Sequence, residues 1–123
     1  MSKTIVIAED FNSSRNIIKN TLEKLGMTVL EAADGREAMK FFDGRKIDLV
    51  VTDYNMPNMS GAELIEFIRN KKEYQFLPIL VLTTETNQEK KNRVVNLNIT
   101  GWIRKPFEME DFKKVIQRAL RLN

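Results

Sequence analysis

The sequence contains no cysteine and no histidine, two residue types that carry much of protein chemistry. Without cysteine there are no disulfides and no thiolate metal sites, and without histidine the commonest general base and metal ligand is missing. Any chemistry must therefore use carboxylates, hydroxyls, lysine or a hard cation held by oxygen atoms. Long apolar runs and a signal-peptide pattern are missing as well, so we expect a cytoplasmic protein that does not enter a membrane.

A large excess of one charge is also missing, since 20 Lys and Arg face 17 Asp and Glu and leave a net charge of +3. The basic clusters at 69–72, 90–93 and 113–114 raise nucleic-acid binding as an alternative. They lie on different predicted elements, with acids nearby and no recognition helix, which favours solvated faces and no nucleic-acid partner. A length of 123 residues predicts a single domain over 1–123, without a separate output domain.

Five short β-branched runs alternate with helical patterns along the chain. Several runs are continuously apolar, which is typical of strands covered by helices on both faces of a parallel sheet. We therefore predict an α/β fold with a doubly wound five-stranded parallel sheet of flavodoxin-like order 2-1-3-4-5. The predicted strands are Thr4–Ala8, Thr28–Ala32, Leu49–Thr52, Ile79–Thr83 and Trp102–Arg104.

The helical segments carry recognisable boundaries. Two starts have the spacing of a capping box, Asp34 with Glu37 and Ser60 with Glu63. Gly26 and Asn98 follow leucines where a left-handed residue commonly ends a helix. The last segment has one apolar stripe, which predicts an amphipathic helix that packs on the sheet through Phe112, Val115, Ile116 and Ala119.

Acidic residues follow two strands that this order makes neighbours. Glu9 and Asp10 come after the first strand and Asp53 after the third, at the point where ligands of such sheets bind. Three crowded carboxylates require neutralisation, and their oxygen atoms suit Mg²⁺. The alternative is that Glu9 and Asp10 are solvated loop acids near a helix N-terminus.

The next two strands end in Thr83 and Lys105. Either residue alone is ordinary for a strand end or a protein surface. Together with Asp53 and the acids after the first strand, they predict a phosphoryl-transfer site in which Asp53 is the nucleophile. A flavin or nucleotide binder is the alternative on the same fold, but it needs a Gly-rich or Ser/Thr-rich turn where this chain has Glu9 and Asp10.

Four segments resemble the signature blocks of response-regulator receiver domains and, more narrowly, stand-alone chemotaxis regulators of the CheY type. They are Ile5–Asp10, Val51–Gly61, Pro78–Glu85 and Lys105–Phe107, in the family's order and spread over nearly the whole chain. The chain departs from the usual pattern in having Glu9 in place of Asp, Thr84 in place of Ala or Gly, and Asn98 in place of Gly. None of these departures removes a required group.

The resemblance implies that Asp53 accepts phosphate from a phosphohistidine on a histidine kinase. Mg²⁺ would be held by Asp10, Asp53 and the backbone carbonyl of Asn55, with Glu9 acting through water. Such a protein is not an ordinary enzyme, although it promotes its own phosphorylation and dephosphorylation.

Further roles follow from the same resemblance. Thr83 would contact the phosphoryl group, Trp102 would be the aromatic switch, and Lys105 would pair with the phosphate across a cis Lys105–Pro106 bond. Asn55 and Glu85 would influence hydrolysis of the phosphoaspartate.

The partner-binding face is expected on the helix between strands 4 and 5, on strand 5 and on the last helix. We assign to it Lys90, Lys91, Trp102, Arg104 and Lys113. The expected partner of this monomer is a protein such as a flagellar motor switch component. A phosphorelay intermediate, a phosphate sink and an adaptor that is never phosphorylated are the alternatives.

Overall fold

The computed structural model describes residues 2–84, 92 and 96–121. Its five strands form one parallel sheet of order β2-β1-β3-β4-β5, as predicted. The strands are β1 (Thr4–Ala8), β2 (Thr28–Ala32), β3 (Leu49–Asp53), β4 (Ile79–Thr83) and β5 (Gly101–Arg104). The described helices are α1 (Asn12–Lys24), α2 (Gly35–Met39), α3 (Gly61–Arg69), a 3₁₀ turn (Lys72–Tyr74) and the C-terminal helix α4 (Met109–Arg121).

Both faces of the sheet are buried, which explains the continuously apolar strands. In β1, Val6 and Ala8 belong to a core beneath α2 and α3, whereas Ile5 and Ile7 belong to a second core beneath α1 and α4. All four side chains are fully buried, because successive residues of a strand point to opposite faces. The sheet therefore forms the middle layer of three.

The two predicted helix starts are confirmed, with one difference. Ser60 and Glu63 form a complete capping box at the start of α3. At α2 the Asp34 carboxylate accepts from the Glu37 N–H at 2.8 Å, but the Glu37 carboxylate accepts from Ala33, one residue earlier than a capping box requires. Asp34 also accepts from the Asn58 side-chain amide at 2.8 Å, which ties the loop after β3 to α2.

The predicted helix ends have left-handed backbone, with φ of 86° at Gly26 and 60° at Asn98. The helix expected around Glu89 to Leu97 falls mostly outside the described residues. Two strand bounds differ from prediction, since β3 includes Asp53 and β5 begins at Gly101. In both cases the ladder to β4 adds the residue, because Asp53 pairs with Leu82 and Gly101 with Leu80.

The C-terminal helix α4 buries Phe112, Ile116 and Ala119 as the apolar stripe predicts, and Val115 is half-buried. No helix in the described ranges has the length and apolar character needed to cross a bilayer.

Candidate functional site

The carboxyl ends of β1, β3, β4 and β5 meet around one pocket of about 290 Å³. This follows from the strand order, because neighbouring parallel strands end at the same edge of the sheet. The structure thus brings the acids, the hydroxyl and the ammonium named above into one place. The pocket is lined by Asp10, Phe11, Asp53, Asn55, Leu82, Thr83, Thr84 and Lys105.

Three carboxylates form an acidic cluster at this pocket. One oxygen each from Glu9, Asp10 and Asp53 lies within 4.8 Å of the other two. Glu9 is 0% exposed and Asp53 4% exposed, so water screens their mutual repulsion poorly. Hard oxygen ligands in this number and spacing fit a magnesium ion, whose remaining positions are ordinarily filled by water and phosphate oxygens.

Lys105 supplies the positive charge that faces the cluster. Its Nζ lies 2.6 Å from Asp53 Oδ1 and 3.2 and 3.1 Å from the two carboxylate oxygens of Glu9. The Lys105–Pro106 peptide bond is cis, which confirms the expectation from the sequence. One ammonium therefore neutralises part of the charge on two buried acids, Glu9 just after β1 and Asp53 at the end of β3.

Burial raises the pKa of the Asp53 carboxyl, and the hydrogen bond and charge of Lys105 act in the opposite direction. The desolvation effect is the larger of the two, because the pocket wall removes most of the water from this side chain. The Asp53 carboxylate is therefore poorly solvated where it lines the pocket.

The turn after β3 fixes Asp53 through its backbone. The Tyr54 N–H donates to Leu82 of β4 at 2.9 Å, and the Gly61 N–H donates to the Tyr54 carbonyl at 2.7 Å. A Cβ added at Gly61 would overlap the Asp53 carbonyl oxygen, so the start of α3 presses directly on the end of β3. Asn55 is exposed and lines the pocket.

Thr83 and Trp102 lie on the same side of the sheet. Trp102 pairs with Val81 in the β4–β5 ladder, and Thr83 is two residues after Val81, so all three point to one face. Thr83 is buried at the pocket, and Trp102 is half-buried against the core beneath α2 and α3. Thr84 is exposed at the pocket rim.

A family model described as "Response regulator receiver domain" matches residues 5–117. The chain belongs to this family. The receiver domain is 35% identical over 115 residues to the chemotaxis protein CheY of Pseudomonas aeruginosa, covering 93% of each chain. It is 36% identical over 115 residues to the chemotaxis protein CheY-3 of Vibrio cholerae, covering 93% of this chain and 88% of that protein.

Solved structures agree with the family assignment. The chemotaxis response regulator CheY4 of Vibrio cholerae superposes with a TM-score of 0.91 at 39% identity, over 98% of this receiver domain and all (100%) of that chain. The non-phosphorylated HemR receiver domain from Leptospira biflexa gives 0.92 at 29% identity, over 99% and 97% of the two chains. The protein is thus a phosphorylation-dependent signalling domain of two-component systems.

Part of the predicted partner-binding face of this receiver domain is described. Trp102 and Arg104 line a groove of about 340 Å³ together with residues of α4 such as Asp111 and Val115. Lys113 is half-buried on α4, where its Nζ donates to Glu110 at 3.1 Å. Lys90 and Lys91, and the predicted hydrolysis residue Glu85, lie outside the described residues.

Sequence reasoning missed one residue that contacts the acidic cluster of the receiver domain. The Arg15 guanidinium on α1 donates to the backbone carbonyl of Glu9 at 2.8 Å. The only signal in the sequence is an arginine one turn into the helix that follows Glu9 and Asp10, and helical periodicity does not show that it folds back towards the strand.

Proposed function

We propose that Asp53 is the phosphoacceptor of this receiver domain and that residues 1–123 act as one phosphorylation-controlled binding module. The observation that carries the proposal is the 2.6 Å contact between Lys105 and an Asp53 carboxylate that opens onto the pocket. An adaptor that is never phosphorylated has no need for this buried pair beside two further acids.

In the proposed reaction an oxygen of Asp53 attacks the phosphorus of a phosphohistidine on a histidine kinase. The new O–P bond forms as the P–N bond breaks, and the imidazole leaves with the electron pair. Lys105 and the Thr83 hydroxyl would then face oxygens of the transferred group. Asn55 and Glu85 are proposed to influence its later hydrolysis by water.

Magnesium is the proposed cofactor, held by Asp10, Asp53 and the Asn55 backbone carbonyl, with Glu9 acting through water. When bound, such an ion neutralises charge on the attacking carboxylate and on the incoming phosphoryl oxygens. Lys105 already holds Glu9 and Asp53 in position, so the protein itself orders most of the site.

The test is phosphorylation with a small phosphodonor, acetyl phosphate, in the presence and absence of Mg²⁺. We expect intact-mass spectrometry to show one added phosphoryl group on the parent with Mg²⁺, and none on Asp53→Asn. Asp48→Asn is the matched control, because Asp48 is a buried aspartate bonded to the Thr4 N–H at the far end of the sheet. Equal incorporation in Asp53→Asn and the parent would refute the assignment.

We further propose a role in chemotaxis, supported by the similarity to chemotaxis CheY proteins. A monomer in the cytoplasm would receive phosphate from a chemotaxis histidine kinase and bind a flagellar motor switch component. Pull-downs with phosphorylated and unphosphorylated protein test this. Phosphorylation-dependent capture of a motor component supports it, whereas onward transfer of phosphate or its loss without capture identifies a relay intermediate or a phosphate sink.

A further inference from the structure

The Arg15 side chain connects three separate parts of the fold. Its Nη1 donates to the Glu9 carbonyl at 2.8 Å, its Nε to Glu31 on β2 at 3.1 Å, and its Nη2 to the Asn12 side-chain oxygen. The side chain is only 13% exposed. A guanidinium presents its donors in a rigid planar fork, so fixing any two of these bonds determines the direction of the third.

Glu31 is the counter-charge that allows this guanidinium to lie so near the sheet. Its second oxygen accepts from Lys19 at 2.6 Å. The pKa of Glu31 is lowered, first by the hydrogen bond from Lys19 and also by that from Arg15, so the carboxylate remains charged. Arg15 and Lys19 thus share one acid, but of the two only Arg15 bonds to Glu9 among the contacts of the described residues.

Both backbone groups of Glu9 are held by other elements. Its N–H donates to Ala32 of β2 at 3.1 Å, and its carbonyl accepts from Arg15. That carbonyl belongs to the peptide unit between Glu9 and Asp10, so its direction sets the path of the chain between two members of the acidic cluster. Phe11, the N-cap residue just before α1, makes no side-chain capping bond that would fix the loop instead.

We propose that Arg15 is a positioning residue for the magnesium-dependent phosphoryl site. It orients the Glu9–Asp10 peptide so that both carboxylates converge with Asp53. This inference rests on the proposed function, because the converging carboxylates matter there as ligands. Arg15 itself touches neither the ion nor the phosphoryl group.

The experiment measures Mg²⁺ affinity by titrating Trp102 fluorescence, with urea unfolding of each variant in parallel. Arg15→Met is expected to weaken Mg²⁺ binding by about tenfold or more, as loss of a residue that orients metal ligands commonly does. Arg15→Lys is expected to recover little of the Mg²⁺ affinity lost in Arg15→Met, because one ammonium cannot reproduce the planar fork of a guanidinium.

Two control variants separate positioning from general stability. Glu31→Gln removes the counter-charge but keeps an oxygen that can accept from Arg15 Nε, and Lys19→Met removes the other partner of Glu31. We therefore expect both variants to keep the Arg15 bond to the Glu9 carbonyl. We expect each control to keep the Mg²⁺ dissociation constant within about threefold of the parent, even where it lowers stability as much as Arg15→Met. The proposal would be overturned if the loss of Mg²⁺ affinity paralleled the loss of stability across all four variants. An unchanged Mg²⁺ affinity in Arg15→Met would also overturn it.

A metal-free measurement keeps the two proposals distinguishable. Amide chemical shifts recorded in a chelating buffer should change at Glu9, Asp10 and Phe11 in Arg15→Met and stay near parent values in Lys19→Met. If the parent shows no saturable Mg²⁺ binding, the proposed cofactor is wrong, and these shifts decide whether Arg15 positions the acids. Shifts unchanged at the three residues would reject the positioning role.

Discussion

Asp53 is a buried ionisable residue, so its pKa makes the free energy of unfolding depend on pH. Burial raises this pKa above its ordinary value. The folded protein therefore holds the Asp53 proton more tightly than the unfolded chain, and the contribution of Asp53 to stability is fully present below its ordinary pKa and is lost as pH rises through the raised value.

Replacing Asp53 by Asn should therefore stabilise the protein at neutral pH in metal-free buffer. The expected gain is on the order of 1 kcal/mol, because a desolvated charge is removed while Lys105 keeps its contact with Glu9. Urea unfolding across a pH series would measure it, and the gain should shrink as pH falls below the ordinary pKa of an aspartate. A gain that grows with acidification would contradict the assigned direction.

Replacing Lys105 should have the opposite effect on stability from replacing Asp53. Lys105→Met leaves Glu9 and Asp53 without their shared ammonium, which should destabilise the metal-free protein by about 3 kcal/mol, the usual order for breaking a buried pair. Added Mg²⁺ should recover part of that loss, because it can neutralise the same acids. Thermal unfolding with and without Mg²⁺ checks both statements. Lys114→Met, at an exposed position of α4, is the control and should change stability by less than about 0.5 kcal/mol.

At the scale of elements, the junction between β3 and α3 depends on a glycine. A Cβ at Gly61 would overlap the Asp53 carbonyl and lie 3.0 Å from the Tyr54 Cα, and backbone cannot rotate away as a side-chain tip can. Gly61→Ala should lower the free energy of unfolding by about 2 kcal/mol, measured by urea unfolding. It should also slow phosphorylation of Asp53, measured by phosphodonor labelling.

Gly101→Ala is the matched control for that substitution. Its Cβ would lie 3.7 Å from a methyl group of Leu80, an ordinary van der Waals contact at the start of β5. We expect nearly parent labelling rates from this variant. An equal loss of labelling rate in both alanine variants would show that the Gly61 contact with Asp53 has no special effect.

The boundaries of helices were predicted best where they depend on residues that are close together in the sequence. The capping box of Ser60 with Glu63 and the left-handed turn at Gly26 depend on neighbours in sequence, and both are present. The Glu37 carboxylate accepts from the Ala33 N–H and not from the Asp34 N–H that a capping box uses. The Asp34 carboxylate also accepts from Asn58 on a distant loop. A contact separated by 24 residues leaves no periodic pattern to detect.

At the scale of the whole molecule, the strand order alone was enough to bring the site residues together. Apolar runs and crossover rules predicted which strand ends are neighbours, and Asp53, Thr83 and Lys105 do line one pocket. The side-chain contacts at the site could not be predicted. Lys105 contacts two acids and Arg15 contacts a carbonyl only because tertiary packing selects particular side-chain rotamers, which the sequence pattern does not show.

The same strand order provides a physical connection from the pocket to the groove lined by Trp102 and Arg104, on the predicted partner-binding face. Thr83 at the pocket and Trp102 at the groove are on one face of adjacent strands, and Arg104 pairs with Thr83 in the ladder. A phosphoryl group that attracts the Thr83 hydroxyl would therefore change the packing next to Trp102. The available free energy is the difference in phosphoryl contacts between two states, so partner affinity should rise by a factor of about 5–150.

Amide chemical shifts before and after adding Mg²⁺ with beryllium trifluoride, a phosphoryl mimic, test this connection. In the parent we expect changes at Asp53, Thr83, Trp102 and Arg104. In Thr83→Ala the changes at Asp53 should persist and those at Trp102 and Arg104 should largely disappear, because the hydroxyl that links pocket to groove is gone. Equal changes at Trp102 in both proteins would show that the signal reaches the groove without Thr83. Absence of change at Trp102 in the parent would place the responsive surface elsewhere on the molecule.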